Sequence, residues 1–204
     1  MPYRRTPAVE AKLAASRESI RRAAIALLAE QGYAGCSIAA VAARAGVATG
    51  TVYKHFPGKS DLLTEVFRYC ASHEVAVATE AAGQSGGPPD WRLVAYVETF
   101  ANRALKSPRL AYALLIEPVD PAIEAERLIY RRAHRDVIAE IIAEGVRTGA
   151  LPPQNPIHSA SAAVGALSEG LVTPLATGIP ESDTVASLVQ FILRAIGGSN
   201  ATNA

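Results

Sequence analysis

The sequence predicts an all-α protein of about nine helices, a three-helix head followed by a larger helical body. Three observations predict it. Apolar residues recur at spacings of three and four along most of the chain. Runs of β-branched residues alternating with polar ones are missing throughout. Gly and Pro cluster between the periodic segments, at 57–58, 83–89 and 149–156.

Each element has its own signal. Glu10 to Gln31 carries Ile20, Ala23, Ala24, Leu27 and Leu28 on one stripe, and Gly32 follows as a stop. Ser37 caps a short second helix bearing Ile38, Val41, Ala42 and Ala45, which ends at Gly46. A third short helix spans about Thr49 to Phe56 and is broken by Pro57-Gly58. The fourth runs from Lys59 to about Ala82, with Leu63, Val66, Phe67, Cys70 and Val77 on one face. The fifth, Asp90 to Lys106, is apolar around most of its circumference and is expected to be central. "RLAYALLI" makes a short sixth helix, and Pro118 and Pro121 bracket a turn. The seventh is long, Ala122 to Thr148. The eighth is "SASAAVGALSEGLV", with Pro174 expected to close it, and the ninth places Val185, Leu188, Val189, Ile192, Leu193 and Ile196 at spacings of one, three and four.

Composition bounds the function. At 204 residues the chain has ample sequence for a core. Its net charge of +1 hides a split: residues 1–60 carry nine Lys or Arg against three Glu, so +6, and the remainder is −5. A basic head on an acidic body points to a polyanion met by the head alone. Two cysteines make neither a disulfide framework nor a zinc site, and no cofactor motif is present. The N-terminus has no apolar signal core, and the longest uncharged run, Thr148 to Ser168, is interrupted by three prolines, so a cytoplasmic protein with no membrane partner is expected. "GQSGG" at 83–87 satisfies a hydrolase elbow formally, but a helix precedes it where a strand is needed. His73-Glu74 lacks the second His of a metalloprotease helix, and Cys36 has no resolving partner nearby. The chain is therefore not expected to be an enzyme.

Two very short helices joined by a Gly-containing turn, over Ser37 to Phe56, form a helix-turn-helix. Val47, Val52 and Phe56 pack inward. Thr49, Gly50, Thr51, Tyr53, Lys54 and His55 form the outward set. A DNA groove suits them: hydroxyls reach phosphates or base edges, Lys supplies a mobile cation, and Gly50 admits close backbone approach. Lys59 stands at the positive N-terminal end of the fourth helix, where a phosphate is doubly favoured.

The stretch resembles the DNA-binding domain of the tetracycline-repressor (TetR) family of bacterial regulators. The residues that carry the resemblance are "S-I-x-x-V-A" of the second helix, "A-G-V" at the turn, "T-G-T-V-Y-K-H-F" of the third, and "K-S-D-L-L" opening the fourth. Beyond residue 82 the similarity is architectural. It implies residues 1–58 as a helix-turn-helix DNA-binding domain and 59–204 as an effector-binding and dimerisation domain. Ser37, Tyr53, His55 and Lys59 are implied as phosphate contacts, and Thr49, Gly50, Thr51 and Lys54 as the groove-facing set. Position 48 is Ala where the family often has Ser, which makes Thr49 the candidate cap. Arg4 and Arg5, in "YRRTP", are either plain terminus or a minor-groove arm.

The implied partners are double-stranded DNA, a small-molecule effector and a second copy of the chain. A dimer would read a pseudo-palindrome with half-sites roughly 34–36 Å apart, or a longer site shared by two dimers. The eighth helix offers Ala162, Ala163, Ala166, Gly170 and Leu171, and the ninth Leu188, Val189, Ile192 and Ile196, as a four-helix interface across a twofold axis. On the seventh helix Arg127, Tyr130 and His134 share the stripe of Ile123, Val137 and Ile141. An inward cation and imidazole need partners. Glu98, Asn102 or Glu117 would make them structural. Alternatively they face a cavity bounded by Tyr96, Phe100 and Tyr112, fit for a mostly hydrophobic or aromatic effector with one polar or anionic end. His73 is either a ligand sensor or a rim residue. The expectation is thus a repressor released by an effector, the fourth helix carrying the motion. Control by a protein partner, or an all-α enzyme or carrier with a basic head, are the other readings.

Overall fold

A computed structural model describes residues 6–198, and among these it is helical with no strand. In order the helices are α1 (Pro7–Gly35), α2 (Ile38–Ala45), α3 (Thr49–His55), α4 (Lys59–Gln84), α5 (Pro89–Lys106), α6 (Pro108–Leu115), α7 (Pro121–Thr148), α8 (Pro156–Gly170), α9 (Val172–Thr177) and α10 (Thr184–Ala195). Prolines open α1, α5, α6, α7 and α8, where the missing N–H is one that the first turn leaves unbonded in any case. Pro174 does not close the eighth helix as expected. α8 stops at Gly170, and Pro174 is the third residue of the extra helix α9, a position that likewise needs no N–H.

Gly32 breaks α1 with φ 70° and ψ −171°, in the left-handed half of the map that only glycine occupies freely. The turn of helix after the break carries Tyr33. Ser37 accepts from the Ala40 N–H at 3.1 Å, and Gly46 ends α2 at φ 67°. Asp120 caps α7 by accepting from the N–H groups of Ala122 and Ile123.

Two cores form. The head core joins the α1 stripe (Ile20, Ala24, Leu27) to Val41, Val52 and Phe56, and extends along α4 through Leu62, Val66, Phe67 and Ala71. It also takes Ala113 from α6 and Ile123 from α7, so the head is welded to the body. The body core is built on α5 (Leu93, Tyr96, Val97, Ala101), α7 (Ile138, Ile141, Ile142) and α8 and α10, with Ala78 and Ala82 of α4. α4 thus belongs to both.

The expected dimer stripe is largely inside this body. Ala163, Leu171, Val189, Ile192 and Ile196 are buried, and Ala166 and Leu188 pack partly buried against the same core. The reason is that α10 has a single apolar stripe, and the body closes only by laying it on α5 and α8. Of the nine residues, Ala162 and Gly170 alone stay exposed. The outward faces carry Ile157, Ala162 and Gly165 on α8 and Phe191, 60% exposed, on α10.

Candidate nucleic-acid interface and effector cavity

α3 is seven residues long and buries Val52 alone; Phe56, just past its end, completes the anchor. Thr49, Gly50, Tyr53 and Lys54 are exposed, with Tyr53 at 54%, and Thr51 is half-buried. A side chain at Gly50 would meet open space, so it is the outside that this glycine keeps clear. The N-cap of α3 is Ala48, with no side-chain cap. Thr49 therefore does not act as the cap in place of Ala48; it stands one residue inside, and its hydroxyl is not spent on the helix end.

The other four residues implied at phosphate sit differently from one another. Ser37 is exposed at the start of α2, where its oxygen caps the helix and its O–H remains a donor. Tyr53 projects with the α3 set. His55 turns back to α1: its Nε2 lies 3.1 Å from Ser16 Oγ, and its carbonyl accepts from Arg17 Nη1. Arg17 itself stacks on Phe56, 4.5 Å from the ring centre, and pairs with Glu65. Lys59 donates to the Tyr33 carbonyl at 3.0 Å, its ammonium 4.3 Å from the centre of the Tyr33 ring. Arg4 and Arg5 lie outside the described residues.

Tyr33 is a junction the sequence did not announce. Its N–H donates to Glu117 Oε2 at 3.0 Å and its hydroxyl to Asp120 Oδ2 at 2.8 Å, both in the α6–α7 turn. Burial, then the Asp120 carboxylate, pushes the Tyr33 phenol up to about 12. Burial works against the Asp120 charge, but hydrogen bonds from Tyr33, Ile123, Ser60 and Ala122 outweigh it and hold that carboxyl below its ordinary range. Gly32 makes the contact possible, since a Cβ there would press on the Glu117 carboxylate.

Between the two cores lies a cavity of about 360 Å³. Tyr96, Phe100, Arg127, Tyr130 and His134 all line it. Tyr112 does not; it packs partly buried against the body core. His134 Nδ1 lies 2.6 Å from the Tyr96 hydroxyl, and both Tyr96 and Phe100 meet the imidazole edge-on. Burial pulls His134 down to about 4 and raises Tyr96, so both are neutral near pH 7.

Arg127 has partners that no helical wheel displays. Its Nε donates to the Leu114 carbonyl at 2.9 Å, its Nη2 to those of Glu117 at 2.9 Å and Ala113 at 3.3 Å, and its Nη1 pairs with Glu124. It therefore closes the C-terminal end of α6. Tyr130 joins α7 to α4, donating to the Arg68 carbonyl at 3.1 Å with its oxygen 2.7 Å from Ser72 Oγ. Arg103 joins α5 to α4 by a two-pronged pair with Glu74, at 2.6 and 2.8 Å. His73 faces the other way, into a shallow groove with Arg21, Arg68 and Tyr69, so it is no sensor of this cavity. Glu74, Arg103, Lys106 and Arg131 also line the cavity. The available signal was one of spacing: Arg103 follows Phe100 by three residues, and Arg131 follows Arg127 by four.

An exposed seven-residue helix, held by a Gly turn on a packed head, defines a helix-turn-helix protein. Comparison with known proteins agrees. Residues 20–66 match the family model described as bacterial regulatory proteins, tetR family. The chain is 33% identical over 98 residues to the HTH-type transcriptional repressor KstR of Mycolicibacterium smegmatis, covering 48% of each. It is 32% identical over 74 residues to the HTH-type transcriptional regulator AcrR of Shigella flexneri, covering 36% of this chain and 34% of AcrR. The matched segments thus span half or less of these relatives. Among solved structures, FadR from Bacillus subtilis, in complex with stearoyl-CoA, superposes with a TM-score of 0.76 over 90% of this chain and 99% of its own, at 19% identity, a likeness of fold. Residues 20–66 match this family model and contain the motifs of residues 37–63, so the resemblance to tetR-family regulatory proteins holds over that segment.

Among the described residues no helix is long and apolar enough to cross a membrane, and no group of three His, Cys, Asp or Glu is placed to hold a metal ion.

Proposed function

We propose that the chain is a cytoplasmic transcriptional regulator, a repressor that a small molecule releases from its operator. The observation that carries the reading is the exposed face of α3, Thr49, Gly50, Tyr53 and Lys54, at the tip of a basic head. Residues 1–58 would bind double-stranded DNA, and 59–204 an effector and a second copy of the chain. The outward faces of α8 and α10, with Ile157, Ala162, Gly165 and Phe191, are the dimer surface that remains once the buried stripe is set aside. A dimer reads a pseudo-palindrome with half-site centres roughly 34–36 Å apart, or a longer spacing if two dimers share the site. The chain acts as a regulator and not an enzyme.

The cavity supports a mostly hydrophobic small-molecule effector over control by a protein partner, since five helices line it and it touches both cores. Its walls lead to the head by short steps. Arg127 holds the end of α6, the following turn holds Tyr33, and Tyr33 holds Lys59 beside α3. A ligand that repositions α4 or α6 therefore moves the recognition helix, and about 1–3 kcal/mol of coupling suffices for release. Selection of bound sequences from random DNA tests the reading. A pseudo-palindrome whose binding weakens steeply with salt is expected. Failure to enrich any sequence, or binding indifferent to salt and undiminished in a Thr51/Tyr53/Lys59 triple alanine variant, refutes it.

A further inference from the structure

We infer that the cavity takes an amphiphilic carboxylate, its apolar body between Phe100, Leu110 and Leu167 and its head group against Lys106 and Arg131; this rests on the effector reading above. The walls carry four cations, Arg103, Lys106, Arg127 and Arg131, against one carboxylate, Glu74. Two of the cations are committed. Arg127 spends its donors on the α6 carbonyls and Glu124, and Arg103 grips Glu74. Lys106 and Arg131 are exposed and form no ion pair among the described residues, although Arg131 also borders an adjoining pocket that Glu124 and Glu169 line. Burial, and after it the neighbouring Arg131, disfavour the charge on Arg127, against the opposing pull of Glu124 and Glu117. His134 cannot serve as a further cation, being tied to Tyr96 in an aromatic corner. Apart from Ser107, Ser168 and the hydroxyls of Tyr96 and Tyr130, the rest of the lining is apolar, from Phe67 on α4 to Val164 and Leu167 on α8. An apolar enclosure with a cationic, carboxylate-poor rim is complementary to an anion on a hydrophobic stem.

The position of the head group has a consequence. Arg103 precedes Lys106 by one turn of α5, so an anion at Lys106 competes with Glu74 for the Arg103 guanidinium. That ion pair adds to the apolar packing of α4 on α5. Drawing Arg103 to the ligand removes it and shifts the balance of contacts on α4, which carries the head. The charge on the ligand, and not its bulk alone, then sets how well it releases DNA.

Titration calorimetry with dodecanoate against dodecan-1-ol, and 2-naphthoate against 2-naphthalenemethanol, tests this. At least one carboxylate should bind about five- to tenfold tighter than its alcohol. The preference should vanish in the Lys106→Gln/Arg131→Gln variant, whose melting temperature should match the wild type because both side chains are exposed. Equal affinity for acid and alcohol, a preference that survives the double variant, or no binding of any of the four overturns the inference. Operator binding by the ligand-free protein, measured alongside, separates the two failures: if it persists, only the inference about the cavity's ligand falls; if it too is absent, the regulator reading falls with it.

Discussion

Arg127→Met removes the guanidinium of a residue that is 7% exposed while keeping most of its methylene stem in place. The structure sets the cost. Two charge-assisted bonds of 2.9 Å, to the carbonyls of Leu114 and Glu117, are lost, with a longer one to Ala113. Each good bond to a charged donor contributes about 1.5–3 kcal/mol. The cavity beside Arg127 admits water, which recovers part of that for the stranded carbonyls. Glu124 loses its partner as well, but its side chain is half-exposed and adds little. The expected loss is about 3 kcal/mol, which at about 2–4 °C per kcal/mol for a chain of this size lowers the melting temperature by about 6–12 °C. Urea unfolding at pH 7 gives the free energy directly, and the variant's m-value should equal the wild type's. A loss below about 0.5 kcal/mol would refute the argument that Arg127 holds the end of α6 and return it to the ligand. The variant should also bind operator more weakly, because the turn that Arg127 steadies carries Glu117 to Tyr33.

Three further outcomes follow from the same contacts. His134 has its pKa lowered to about 4 in the fold, so the unfolded chain binds more protons between that value and about 6.5; stability should be full above about pH 6.5 and fall by about 3 kcal/mol as pH drops toward 4, a dependence that His134→Gln flattens in chemical denaturation. Ile192→Asp, at 1% exposure, should lose about 3–5 kcal/mol and unfold the body, seen as lost helical circular dichroism on mild heating, whereas Phe191→Asp should keep its fold and shift sedimentation from dimer to monomer. Gly32→Ala should cost about 1–2 kcal/mol, because φ 70° strains a Cβ that also meets the Glu117 carboxylate, and a variant as stable as wild type by urea unfolding would deny the break its role.

Local structure was legible in the order of the residues. Apolar spacing marked the buried face of the longer helices though it missed α9, and Ser37, Gly46 and Gly32 set ends that the structure reproduces within a few residues, because caps and turns are bonds among near neighbours. The sequence also determined the helix-turn-helix, whose ordered positions lie within Ser37 to Leu63. What it did not contain is the partner of each buried face. The stripe of Val189, Ile192 and Ile196 reads alike whether it meets another copy or its own α5, and only the tertiary packing chose the latter. Arg127 reads as an inward cation in search of a carboxylate or a ligand; its partners are main-chain carbonyls, which have no letter in a sequence. Tyr33 is separated from Glu117 and Asp120 by more than eighty residues along the chain, and meets them only because α6 and α7 fold back onto the broken end of α1. Periodicity reports the direction of a side chain; what stands opposite it is decided by how the helices stack.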